Sequence, residues 1–230
     1  SSVVMFRART NHTRDPACVQ EQTNPRVVLA YLSIDEKHFR TGIDLVYPPP
    51  ALKPVPLSDH QHEALMSCKR KNPLLLSFRG RPTYPGRQDL FKLHNGKDVL
   101  TNTYSFRKKD AQDFYQQLTS TKFAAVPRGD MLFSYRLTEA MSAGAIPVIL
   151  SDGMVLPFAE LINWNVTALH VPEKSARDGS LLPLLRSYSD EQVCDMQRRS
   201  RRAYERHMRS HSEVLDSILD ILDNRSGQLG

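Results

Sequence analysis

Residues 122–152, KFAAVPRGDMLFSYRLTEAMSAGAIPVILSD, decide the fold. Residues 122–129 open as an apolar run and end on Pro127-Arg128-Gly129, which reads as a strand and its exit. Residues 134–144, SYRLTEAMSAG, place Leu137, Ala140, Met141 and Gly144 on one helical face, small enough to pack tightly on a sheet. IPVILSD, 146–152, is again an apolar run that stops at Ser-Asp. Strand, helix and strand in about 30 residues form the unit of a parallel sheet.

The same alternation extends both ways. Residues 27–34 and 73–80 read as buried strands, 87–96 as a short helix stopped by Asn95-Gly96, and 97–104 as a strand. A helix over 110–121 precedes the central strand, with Phe114 and Leu118 at i,i+4. A helix over 156–163, a strand over 167–173 and helices within 177–187 and 189–223 follow. This order predicts an α/β fold, a doubly wound parallel sheet of Rossmann type. Five prolines between 48 and 56 suit neither a helix interior nor a central strand. They divide the chain into 1–47, the end of one domain; 48–60, a linker; 61–190, a Rossmann-like domain; and 191–230, a C-terminal helix and tail.

In such sheets ligands sit off the carboxyl ends of the strands. Arg79-Gly80-Arg81, Arg128-Gly129 and Ser151-Asp152 all follow strand ends and would converge on one crevice. Ser134 would cap the following helix, whose amides and partial positive charge favour an anion. Arg136 and Glu139 share a helix face. The guanidinium suits a diphosphate, and the carboxylate one turn on suits the hydroxyls of a ribose. The plain alternative is an ordinary i,i+3 ion pair worth a few tenths of a kcal/mol. Asp152 has two readings, a strand-end turn residue or a group facing a bound sugar.

The 230 residues are 40% apolar and 24% charged, ordinary for a globular chain, and no run reaches the length of a membrane span. A net charge of +6 and a pI of 9.3 favour anionic partners. Much of that charge lies in 197–211, QRRSRRAYERHMRSH, which reads as a solvated helix face or as a hold for acidic glycan. No finger, KH or RNP pattern accompanies it, so nucleic acid is not expected. Cys18, Cys68 and Cys194 lack metal-ligand spacing and permit one disulfide or none. Sequons at Asn11, Asn165 and Asn224 lean toward a secretory lumen. Arg128-Gly129-Asp130 reads as the anion corner rather than an adhesion motif. His207 and His211 read as surface histidines, and Trp164 as core or an interdomain plug.

Residues 123–165 strongly resemble the signature of the exostosin family, the family 47 glycosyltransferases: Pro-Arg-Gly, Ser-x-Arg, Glu-Ala, Pro-Val, Leu-Pro-Phe and Ile-x-Trp in order. FRTGIDLVYP (39–48), LLLSFRGR and LHNGKDV extend the likeness, with Thr41 departing from the usual proline. LHNGKDV and INWN bring it closer to the animal exostosins and exostosin-like proteins. The resemblance implies a GT-B fold, of which this chain would hold the C-terminal, donor-binding domain and a remnant of the N-terminal one. It implies inverting transfer from a UDP-sugar, UDP-glucuronic acid first, to a growing glycan such as heparan sulfate.

The same resemblance implies that Arg79, Arg81, Arg128 and Arg136 grip the diphosphate, that Ser134 supports it, that Glu139 holds the ribose and that Asn95 contacts the donor. Met131 stands where retaining relatives of the fold carry a second glutamate, in keeping with inversion. No Asp-x-Asp occurs, and no metal or other cofactor is expected. The general base is expected outside this chain. Asp44 lies in the right region but also suits a structural role. The expected setting is the Golgi or endoplasmic reticulum lumen, within a longer type II membrane glycoprotein whose anchor lies elsewhere, with a glycan acceptor and a related exostosin subunit as partners. The other function in view is an inactive exostosin-like domain serving as partner subunit or glycan scaffold.

Overall fold

In the computed structural model, residues 3–7, 27–49, 54–103 and 108–227 are described. Two parallel sheets carry the chain. The smaller joins β1 (Val3–Arg7), β2 (Val27–Tyr31) and β3 (Leu45–Val46) in that order. The larger contains β4 (Leu74–Gly80), β5 (Val99–Thr103), β6 (Thr121–Pro127), β7 (Ile146–Leu150) and β8 (Leu169–His170). Its order is β5-β4-β6-β7-β8 and every pairing is parallel. The order reverses between β4 and β6, so a topological switch point opens at their carboxyl ends.

Alternate strand residues face opposite cores, the period-2 rule at work on a sheet covered on both sides. Ala124, Val126 and Ile149 pack with Phe114, Leu118, Leu137, Met141, Tyr204 and Ile221 on one face. Phe123, Ala125, Val148 and Leu150 pack with Leu90, Leu181, Leu185 and Val193 on the other. The doubly wound α/β sheet expected from the sequence is the one observed.

The helices are α1 (Asp59–Met66), α2 (Pro85–Lys92), α3 (Lys108–Thr119), α4 (Arg136–Ser142), α5 (Leu181–Arg186), α6 (Asp190–His207) and α7 (His211–Gly227). Ser58 with Gln61 and Ser189 with Gln192 form capping boxes that start α1 and α6. Pro85, with no N–H to satisfy, starts α2 two residues before the expected Arg87. Gly144, at φ +67°, closes the α4–β7 joint, and a Cβ there would stand 2.5 Å from Leu65 Cδ2.

Two expectations are corrected. Residues 156–163 form turns rather than a helix, because Phe158 sits at φ +49° and its amide bonds the Val46 carbonyl at 2.9 Å. His207 is buried, not on the surface. The helix ends at His207, residues 208–210 turn and α7 folds back, so His207 Nδ1 meets Ser217 Oγ at 2.9 Å and the ring lies against Phe158. Burial first, then Arg206, holds this imidazole below its ordinary pKa.

A disulfide joins Cys68, in the turn after α1, to Cys194 in α6. Cys18 and the Asn11 sequon lie outside the described residues. Trp164 is 8% exposed and its indole N–H donates to the Pro157 carbonyl at 2.8 Å, a core role. Asp44 is fully buried and accepts from the Leu29 amide at 3.1 Å and from Arg40 Nε at 3.0 Å, which makes it a structural clip between β2 and the turn before β3.

Candidate functional site

The carboxyl ends of β4 and β6 collect cations. Arg79 is the penultimate residue of β4, and Arg81 lies one residue beyond its end. Arg128 leaves β6 with its amide donating to the Leu150 carbonyl at 3.1 Å, and its guanidinium carbon lies 4.8 Å from the Tyr84 ring centroid. Tyr84 in turn donates its hydroxyl to Glu173 Oε2 at 3.1 Å. Arg136 opens α4 and stacks 4.9 Å from the Phe114 ring centroid.

Arg87 completes the group and was not among the residues expected from the sequence. Because α2 begins at Pro85, Arg87 falls in the first turn, over the end of β4. Its Nε donates to the Arg128 carbonyl at 2.9 Å. A Cβ on Gly129 would come 3.3 Å from an Arg87 Nη, so the glycine admits this guanidinium beside the β6 exit. Burial lowers the Arg87 pKa, opposed by Asp130.

The electrostatics follow from that crowding. Burial, then the charges of Arg87 and Arg79, pull the Arg136 pKa down to about 10. The group stays protonated at neutral pH, and burial and the neighbouring cations both oppose its charge. Glu139 is 1% exposed, and its carboxylate is ion-paired with Arg136. The i,i+3 pair is therefore formed, buried rather than solvated, and one carboxylate stands among several guanidinium groups.

Ser134 does not occupy the N-cap, which falls to Tyr135. Its hydroxyl still accepts from the Arg136 amide at 3.4 Å, and its carbonyl accepts from Leu137 at 3.0 Å. With α4 only seven residues long, its terminus supplies less field than the helix expected over 134–144.

Asn95 stands apart. It lies in the α2–β5 turn, at the amino end of the sheet, where its Oδ1 accepts from the Lys97 and Val99 amides at 2.9 and 3.0 Å and its Nδ2 donates to Asp98 at 2.8 Å. That position corrects its expected place in the donor crevice: it builds the turn into β5. Asp152 and Glu173 exchange amide-to-carboxylate bonds at 3.0 Å and so close the β7 and β8 ends together.

Other arginines are structural. Arg70 donates to the Thr119, Ala143 and Gly144 carbonyls, capping the ends of α3 and α4 at the amino end of the sheet. In the basic run, Arg199 pairs with Asp195, Arg201 with Glu205 and Arg209 with Glu213, so much of its charge is answered one helical turn away. Among the described residues no helix is long and apolar enough to cross a membrane, and no three His, Cys, Asp or Glu residues group as metal ligands.

The exostosin GT47 domain model matches residues 3–188. The chain belongs to the exostosin family. Among exostosin relatives, the Exostosin-1 homolog of Caenorhabditis elegans is 31% identical over 173 residues, 66% of this chain and 45% of that protein. Exostosin-1 of Mus musculus is 27% identical over 231 residues, 87% of this chain and 30% of that protein. The chain thus spans less than half the length of these curated exostosins. A crystal structure of a Staphylococcus aureus TarM mutant with fondaparinux, alpha-GlcNAc-glycerol and UDP matches at a TM-score of 0.45 and 12% identity, covering 94% of this chain and 50% of that one. At that overlap the likeness carries no weight for fold or function.

Proposed function

We propose that this chain is the donor-binding part of an inverting, UDP-sugar-dependent glycosyltransferase of the exostosin type. Arg79, Arg87, Arg128 and Arg136, with Arg81 at the rim, receive the diphosphate, and Glu139 receives the ribose once Arg136 turns to the phosphates. The observation that carries this reading is the gathering of Arg79, Arg87, Arg128 and Arg136 at the switch point of the sheet, with Arg87 bonded to the Arg128 carbonyl at 2.9 Å. Buried like charges are costly alone and become favourable around a polyanion.

UDP-glucuronic acid is the proposed donor and a growing glycan such as heparan sulfate the acceptor, in the Golgi or endoplasmic reticulum lumen, with a related exostosin subunit as partner. The Cys68–Cys194 disulfide fits an oxidising compartment. No metal is required, since the arginines can meet the charge of the leaving UDP.

A second reading keeps the fold and drops the donor. The buried Arg136–Glu139 pair favours it, because a carboxylate satisfied within the protein suits a scaffold or partner subunit. Calorimetry with UDP separates the two. Binding lost in Glu139→Ala supports the donor site; absence of heat with folded wild-type protein supports the scaffold.

A further inference from the structure

Transfer with inversion needs a base for the acceptor hydroxyl, and the carboxylates at the donor crevice are turned to its own groups, Asp130 to the charge of Arg87. Asp152 and Glu173 are tied to each other's amides, Glu173 also accepts from Tyr84, and Glu139 is paired with Arg136. His170 Nε2 lies 3.0 Å from the Ser151 carbonyl oxygen.

The smaller sheet offers a different arrangement. Past the carboxyl end of β2, Asp35 forms an antiparallel bridge with Met154, in the loop past the carboxyl end of β7. The Glu36 amide donates to the Gly153 carbonyl at 3.0 Å, and the Val155 amide to the Ile34 carbonyl at 3.2 Å. The carboxyl ends of the two sheets are therefore apposed. At that junction both Asp35 carboxylate oxygens lie 2.8 Å from His38 Nδ1. The Lys37 amide fixes the same carboxylate at 3.0 Å. The two side chains are 51% and 37% exposed, His38 and Asp35 respectively, so the ring is in contact with solvent.

We infer that His38 is the general base of the transfer and that Asp35 is its positioning residue. The inference rests on the glycosyltransferase reading and differs from the sequence expectation that the base lies outside this chain. Asp35 accepts the Nδ1–H and leaves the lone pair on Nε2. The acceptor hydroxyl gives its proton to Nε2 as its oxygen bonds the anomeric carbon. The bond from that carbon to the β-phosphate oxygen breaks, and its electron pair leaves with UDP, whose added charge falls among the arginines. The imidazolium, held beside Asp35, then passes the proton to water. The charged groups around the ring are Asp35, the flanking Glu36 and Lys37, Arg40 bound to Asp44, and, across the bridge, Asp152 beside Gly153.

The test uses the full-length protein, a panel of UDP-sugars including UDP-glucuronic acid, and oligosaccharide acceptors, with UDP release as the readout. His38→Gln is expected to lower kcat by about 10²–10⁴-fold, to leave the affinity for UDP within about twofold, and to abolish the acid limb of the wild-type pH profile. His38→Gly is expected to regain rate with added imidazole, which a turn-building histidine would not do. Asp35→Asn is expected to lower kcat with UDP affinity kept. Transfer by wild type with His38→Gln within threefold of it overturns the dyad and leaves the donor site standing. No acceptor-dependent UDP release by wild type across the panel overturns both.

Discussion

Replacing Arg87 with methionine separates a ligand-binding cation from a structural one. Methionine keeps the unbranched length that packs near Phe78, 5.9 Å from the guanidinium carbon, and removes the charge and every donor. The free protein loses the Nε bond to the Arg128 carbonyl, worth about 1 kcal/mol. Against that, a partly buried charge disappears together with its repulsion of Arg136. These contributions oppose each other, and the net change is within about 1 kcal/mol, or roughly 2–4 °C in Tm for a chain of this size. With UDP bound the balance differs, because a charge-assisted bond to phosphate is worth about 1.5–3 kcal/mol. UDP affinity should fall about 10–100-fold. Calorimetry gives the affinity and differential scanning fluorimetry the stability. Undiminished UDP affinity would refute the assignment of Arg87 to the anion site. So would a fall in Tm of more than about 8 °C, which would make it a fold-holding residue.

Asn95→Ala should lower stability by about 1 kcal/mol, through loss of the bonds to the Lys97 and Val99 amides, with UDP affinity unchanged by calorimetry. Cys194→Ala should cost about 2–5 kcal/mol in urea unfolding, since the disulfide closes a loop of 126 residues. His207, depressed by burial, binds its proton more readily unfolded than folded. Its contribution is present above pH 6.5 and is lost as pH falls toward the folded value, so Tm should decline between about pH 7 and 5, and His207→Gln should flatten that decline.

The central strand–helix–strand was legible because parallel strands buried on both faces write continuous apolar runs, and the helix between them carries its small residues at helical spacing. Ser58-x-x-Gln61 announces α1 in the sequence as a capping box, a signal that periodicity alone passes over. Residues 156–163 misled because their apolar spacing is helical while their backbone is set by tertiary bonds, Phe158 to Val46 and Trp164 to Pro157. Arg87 was hidden by a two-residue error at a helix start. The place of Asn95 was readable from topology: it precedes a strand, and turns that precede parallel strands lie at the amino end, away from ligands. The ring contacts of His207 depend on how α7 returns across α6, and no local pattern records that.

A crystal structure of this chain with UDP tests whether the arginine cluster is a diphosphate site. The diphosphate should lie at the carboxyl ends of β4 and β6, within hydrogen-bond distance of Arg79, Arg87, Arg128 and Arg136, with the Arg136–Glu139 pair opened and the carboxylate on the ribose. UDP bound elsewhere on the chain, or a crevice in which that pair stays closed at saturating UDP, would contradict it.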